Sequence, residues 1–344
     1  MRMEDVAKLR AKLFNVLEET LKEGIDVWTT PRDEVVNEGV FKLLHYHPFV
    51  EKTHPVPVLI IYAYINRPSV MDLNPEVSVI RRLLEAGLNV YMIDWGYPSR
   101  TDKYLTIADY IDFIDYCVDK LRADENVTQL TLHGYCLGGT LSTIYSTLYP
   151  EKVKNLVLQA TPINFDTPNT LAKWARSIDP GKIVEAYGCV PGEFMNTGFL
   201  GVDPVMLICG KYEGLFTHIE EEDFVTDFLR MERWIYDSPP IPGEVYKEYI
   251  REWYHENKIV KGEYTIEGKE VNLKKINMPT LVLSAEKDHI APPASNTVLL
   301  ELISSTDKDL MTIDRGHIGL STSKKAHKEM WPKACTWIVE RSNL

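Results

Sequence analysis

The sequence contains no C-x-x-C pair. Its five cysteines, at positions 117, 136, 189, 209 and 335, are scattered and odd in number. That excludes a disulfide framework and a zinc ribbon as simple readings, and it fits a cytoplasmic chain whose thiols stay reduced. No apolar run is long enough to span a bilayer. Stretches such as VPVLIIYAYI are strand-length, and the charged, periodic N-terminus resembles neither a signal peptide nor a membrane span. Basic residues are in the minority, 38 Lys plus Arg against 50 Asp plus Glu, for a net charge of -12. Nucleic acid is therefore a poor candidate partner, because phosphate binding needs a basic face. Glycine-rich phosphate loops, internal repeats and low-complexity segments are also missing.

What is present is a core and an alternation. Apolar residues make up 44% of 344, enough for one large domain or two modest ones. Residues 1–24 predict an amphipathic helix, with Val6, Leu9, Leu13, Leu17 and Leu21 near one face. It is expected to pack on its own domain; docking to a partner subunit is the alternative. Strands are then predicted at 56–65, 89–93, 127–132 and 153–160. Helices are predicted between them at 75–86, from the Thr106 cap onward, and at 137–148. Such alternation implies right-handed crossovers and a mostly parallel sheet flanked by helices. From 166 to 275 the pattern breaks into irregular, aromatic and charged text, read as an inserted, mostly helical cap. Alternation resumes with a strand at 280–284, a helix near 294–304, a strand at 309–313 and a last helix over 322–341. The catalytic core is thus expected in 25–165 and 276–344, with the cap between.

Residues 130–142 read LTLHGYCLGGTLS. Within them is the G-x-S-x-G pattern of a nucleophile elbow, with Cys136 in place of serine. Gly134, Gly138 and Gly139 supply the small residues such a strand-to-helix turn requires. A buried cysteine in a glycine-rich turn is the bland alternative. Two further residues weigh against it: Asp288 follows the strand TLVLS, and His317 follows the strand LMTI. The chain order nucleophile, acid, histidine is the order of the α/β-hydrolase fold, and each member sits past a predicted strand end, where open sheets bind ligands. His317 is expected to take the thiol proton, and Asp288 to fix the imidazole. The amide of Leu137 is expected to donate into an oxyanion hole. His289 reads as a loop residue and His133 as a packed or bonded strand-end residue. His45 and His47 lack a third metal ligand, so no metal is expected. Trp174, Trp234 and Trp253 are expected to be mostly core, with an apolar channel as the alternative.

A thiol suits acyl transfer between a thioester and an alcohol. Exchange from a coenzyme A thioester onto Cys136 is nearly thermoneutral, and passage to a hydroxyl runs downhill if a lid excludes water.

The sequence resembles the catalytic subunit of poly(3-hydroxyalkanoate) synthases, of the short kind that works with a second subunit (class III, or the related class IV). The stretches that carry the resemblance include YAYINRPSVMDL, MIDWGYPSRTDKYLTIADYI, GYCLGGT, FLRMERWIYDSP, AEKDHIAPP and GHIGLSTSKKAHKEMWP, and it covers the chain after about residue 35. It implies an acyltransferase with Cys136 as acyl carrier, His317 as base and Asp288 as third member. Asp288 would also help to activate the 3-hydroxyl, and the loop around Ile65 would supply a second oxyanion amide. The implied substrate is (R)-3-hydroxyacyl-coenzyme A, such as 3-hydroxybutyryl-coenzyme A. Coenzyme A would be released without any separate cofactor, and a polyester chain would collect in cytoplasmic granules. A second synthase subunit is implied and a homodimer is compatible. The long N-terminal region of single-subunit synthases is not seen. Dienelactone hydrolases, which share the cysteine elbow but are shorter, and a non-catalytic granule-coating protein are the alternative readings.

Overall fold

The computed structural model describes residues 26–343. The helix expected over 1–24 lies outside the described residues. Strands β1 (Arg32–Asn37), β2 (Lys42–Tyr46), β3 (Val58–Ile61), β4 (Val90–Asp94), β5 (Leu130–Tyr135) and β6 (Val153–Gln159) come first. A small hairpin, β7 (Thr265–Ile266) and β8 (Lys269–Glu270), precedes β9 (Thr280–Ala285) and β10 (Lys308–Ile313). Eight of them form one sheet in the order β1-β2-β4-β3-β5-β6-β9-β10. The pairs β1–β2 and β2–β4 are antiparallel; the others are parallel.

Strands β3, β4, β5 and β9 are buried at every residue. That is why their sequences read as continuous apolar runs instead of alternating ones. β10 is an edge strand, and its exposed Lys308 and Asp309 protect it from further pairing. The helix Ile107–Asp124 starts with a reciprocal capping box between Thr106 and Asp109. Its buried stripe, including Ile111, Ile114, Val118 and Leu121, belongs to the hydrophobic core. The helix Leu137–Leu148 matches the predicted bounds and is buried along nearly its whole length.

Several expected boundaries move. The strand expected over 56–65 stops at Ile61, whose partner Gly134 closes the β3–β5 ladder. Residues 62–65 remain buried but leave the sheet to shape the site. The strand expected at 127–132 starts at Leu130, because Asn126 adopts φ 52° and prolongs the preceding turn. The helix expected over 322–341 is three helices, Gly319–Thr322, Lys324–Glu329 and Trp331–Glu340. Ser323 is extended and caps the second, while Pro332 sits in the first turn of the third. The helix expected near 294–304 is two short pieces, Pro293–Asn296 and Leu299–Leu302. The antiparallel pair β1–β2 adds two strands to the alternation read from the sequence.

Between β6 and β7 the chain forms the mostly helical cap. Its longest helix, Glu222–Tyr236, buries Val225 and Trp234. Trp253 is fully buried among Phe165, Tyr249 and Tyr264. Trp174 departs from the core expectation: it is 42% exposed, on a short helix, Thr170–Ser177, that buries only Ala172 and Ala175.

Candidate active site

Cys136 stands between β5 and the helix Leu137–Leu148, at φ 52° and ψ -125°. This region is costly for a residue with a Cβ and persists only where surroundings impose it. Here they do. The Cys136 N–H donates to the Gln159 carbonyl at 2.9 Å, and its carbonyl accepts from Gly139 and Thr140. The glycines make the close approach possible. A Cβ on Gly134 would lie 2.3 Å from the Gly139 Cα, and one on Gly138 would lie 2.1 Å from the Ile61 carbonyl oxygen. At Gly139 a Cβ would fall 1.8 Å from Thr161 Oγ1. Leu137 is the first residue of the helix, so its N–H belongs to the four that lack an intrahelical acceptor.

Asp288 and His317 follow β9 and β10, and the parallel register brings their loops to the same sheet edge as Cys136. His317 Nδ1 bonds Asp288 Oδ2 at 2.7 Å. Asp288 Oδ1 accepts the backbone N–H groups of Ile290 and Ala291, both at 2.8 Å. The carboxylate is therefore fully engaged and turned toward the imidazole. The other ring nitrogen is not used by Asp288, and Cys136 and His317 line the same cavity. Burial disfavours charge on the ring, but the neighbouring Asp288 carboxylate and Cys136 outweigh it. They hold the His317 pKa well above the ordinary histidine range.

Cys136 and His317 open on a cavity of about 460 Å³. Its far wall is the cap: Phe199, Leu200, Met206, Met231, Trp234 and Ile235. Ile65 is buried and borders the cavity. His289 is exposed and also borders it, while its carbonyl accepts from Asn169. His133 is buried, bonds Gln159 Oε1 at 3.1 Å, and has its pKa pushed down to about 4 by burial. It is a packed strand residue, as read from the sequence. His45 stacks on Tyr91 and bonds Asn89, whereas His47 pairs with Asp33. The two rings do not converge on one point.

Comparison with known proteins places the fold and the family. The alpha/beta hydrolase fold family matches residues 56–323. The poly-beta-hydroxybutyrate polymerase (PhaC) N-terminus family matches residues 1–83. The poly(3-hydroxyalkanoate) polymerase subunit PhaC of Allochromatium vinosum is 41% identical over 93% of this chain and 91% of its own length. That of Thiocystis violacea is 37% identical over 98% and 97%. This chain belongs to the PhaC polymerase family. Against the Haloferax mediterranei PhaC subunit, 42% identical, it spans 66% of the relative's length. The likeness reaches residue 1, further than the stretch after residue 35 that carries the resemblance by eye. Among solved structures, a putative lipase from Sulfolobus solfataricus superposes with TM-score 0.60 at 15% identity, over 90% of this chain and 93% of its own. A soluble variant of the Saccharomyces cerevisiae monoglyceride lipase gives 0.59 at 12% identity, over 93% and 97%. These two share the fold.

In this PhaC-family chain, sequence reasoning missed the brace behind the site. Arg67 donates both Nη groups to Asp94 at 2.6 and 2.8 Å, and both side chains are buried. The Arg67 carbonyl accepts from Trp234 Nε1 at 2.7 Å, so one residue ties β4, the loop after β3 and the cap. Trp95 Nε1 donates to the Tyr62 carbonyl, and Tyr97 bonds Asp237 of the cap. The signal was present in INRPS and DWGYP, but the partners are far apart in the chain and no local periodicity links them.

Proposed function

We propose that this chain polymerises (R)-3-hydroxyacyl units from coenzyme A thioesters, through an acyl group carried covalently on Cys136. The observation that carries the reading is that Cys136 and His317, the latter bonded to Asp288, face one largely apolar cavity whose far wall is the cap. The Cys136 thiolate attacks the thioester carbonyl carbon. A new C–S bond forms, the bond to coenzyme A breaks, and the departing thiolate takes the His317 proton. His317, now neutral, accepts the proton of an incoming 3-hydroxyl as that oxygen attacks the Cys136-bound acyl carbon. An oxygen ester forms and the Cys136 thiolate is released. The lengthened chain, now a coenzyme A thioester, reacylates Cys136.

Leu137 N–H, and the backbone N–H at Ile65, are the proposed donors to the oxyanion formed in each attack. Asp288 acts through His317, since both of its oxygens are already engaged. The apolar lining and the cap keep water from the thioester, which favours transfer over hydrolysis. No separate cofactor enters this scheme. The relatives' names call them subunits, which supports a second synthase subunit as partner. An apolar product supports residence at cytoplasmic polyester granules. Among the described residues no helix is long and apolar enough to cross a membrane.

The test is to incubate the protein with 3-hydroxybutyryl-coenzyme A, then measure free coenzyme A and the mass of the Cys136 peptide. The expected result is an acyl adduct on Cys136, and loss of both signals in Cys136→Ala. Continued coenzyme A release by Cys136→Ala would overturn the reading.

A further inference from the structure

Gln159 closes β6 after Leu156, Val157 and Leu158, which are buried and apolar. Gln159 is fully buried too, yet it is an amide. Its backbone carbonyl accepts the Cys136 N–H at 2.9 Å. Its side-chain Nε2 donates to Ser321 Oγ at 2.8 Å, and Ser321 Oγ donates in turn to Met71 Sδ at 3.4 Å. Gln159 Oε1 is then the acceptor that meets His133 Nε2 at 3.1 Å. Burial keeps that ring neutral, so its Nε2–H is the donor. His133, Gln159, Ser321 and Met71 thus form one buried chain in which each member donates to the next.

These residues come from the segments that carry the site. His133 lies on β5, just before Cys136. Ser321 lies on the helix Gly319–Thr322, which begins just after His317. Met71 ends the buried 3-10 turn Pro68–Met71 that follows the loop around Ile65. The helix Gly319–Thr322 is also fastened toward the C-terminus. The Leu320 carbonyl accepts from Trp331 Nε1 at 2.8 Å, and the Ser321 carbonyl meets His327 Nε2 at 2.6 Å. Those bonds tie it to the last helices, whereas Gln159 ties it to the sheet. The bond that Tyr135, next to Cys136, makes to the His317 carbonyl is long, at 3.5 Å. A buried amide can be replaced, together with its partners, by apolar groups at little loss of stability. What a buried chain of hydrogen bonds adds is one fixed arrangement.

We propose that Gln159 is a positioning residue: its backbone holds the Cys136 turn, and its side chain holds the helix after His317 in register with that turn. A misplacement of about 1 Å between reacting groups can cost about 10²-fold in rate. For its effect on turnover the proposal rests on the acyl-transfer reading above.

The experiment compares two rates in the full chain, each normalised to the Cys136 that is alkylated at completion. The first is alkylation of Cys136 by iodoacetamide, followed by the mass of its peptide. Alkylation needs the thiolate, so it reports how well His317 serves Cys136. The second is coenzyme A release from (R)-3-hydroxybutyryl-coenzyme A. Gln159→Met keeps the backbone carbonyl and the side-chain length but removes the amide. It is expected to lower both rates by about 10–10²-fold, with KM for the thioester within about twofold of wild type. Ser321→Ala cuts the same bond from its other end and should lose as much. The double variant should be no slower than the slower single one, because the bond is lost only once. Unchanged normalised rates in both single variants, with only a lower melting temperature, would reduce the bond to packing and overturn the proposal. So would losses that multiply in the double variant. If Gln159→Met does not fold, Ser321→Ala decides alone. A wild type that is alkylated at Cys136 but releases no coenzyme A would remove the acyl-transfer reading, and the alkylation rates would still judge Gln159.

Discussion

On the sheet side of the cavity, Cys136, Asp288 and His317 have almost no freedom; on the cap side, the wall is short helices with apolar residues left in the open. The sheet side is fixed by backbone: parallel ladders set the loop positions, two N–H groups hold one Asp288 oxygen, and glycine contacts force the Cys136 turn. The cap side includes Met206 and Leu207, which border the cavity while remaining 68% and 40% exposed. Bond-making needs atoms held in place. Accepting an apolar chain needs a surface that can adapt, and methionine is well suited to that. On the proposed acyl-transfer reading, one cavity joins a rigid half for chemistry to a compliant half for binding.

The contrast can be broken most forcefully at Asp288. Asp288→Asn presents an amide to His317 and favours the wrong tautomer. It should slow Cys136 acylation by about 10²–10⁴-fold with little change in melting temperature, measured by single-turnover mass analysis and calorimetry. A loss under threefold would show that the rigid half is not the source of catalysis. Next in size is a pair of identical substitutions. Gly139→Ala puts a methyl group 1.8 Å from Thr161 Oγ1 and should destabilise by about 3 kcal/mol. Gly198→Ala, in the cap helix Gly192–Gly201 with nothing within 4 Å, should stabilise by roughly 0.5–1 kcal/mol. Urea unfolding decides it, and equal signs would erase the distinction between the halves. The smallest effect is at the joint. Trp234→Phe leaves the Arg67 carbonyl without its donor and should cost about 1–3 kcal/mol. KM for 3-hydroxybutyryl-coenzyme A should rise several-fold, while reaction of Cys136 with a small alkylating agent stays within about twofold. A large fall in that reactivity would mean the cap also sets the chemistry.

Much of the rigid half was legible in the chain. Continuous apolar runs marked strands buried on both faces, the Thr106–Asp109 box marked a helix start, and the glycines around Cys136 marked the elbow. Boundaries slipped where tertiary contacts overrode local pattern, as at Ile61, where pairing ends although the apolar run continues to Ile65. The cap was legible only as a break in pattern. Its short helices carry little periodic signal, and Trp174 and Trp253, alike in composition, end on opposite sides of the surface.

By itself the sequence determined the α/β alternation, the elbow, and the chain order of Cys136, Asp288 and His317. These depend on local sterics and on the direction of parallel strands, and both are written in neighbouring residues. Only the tertiary structure decided that Asp288 spends both oxygens on His317 and its own loop. It alone brought Arg67 against Asp94 and Trp234. Those facts are set by which distant segments meet, and a hydrogen bond's partner is fixed by proximity in space, for which spacing along the chain carries no code.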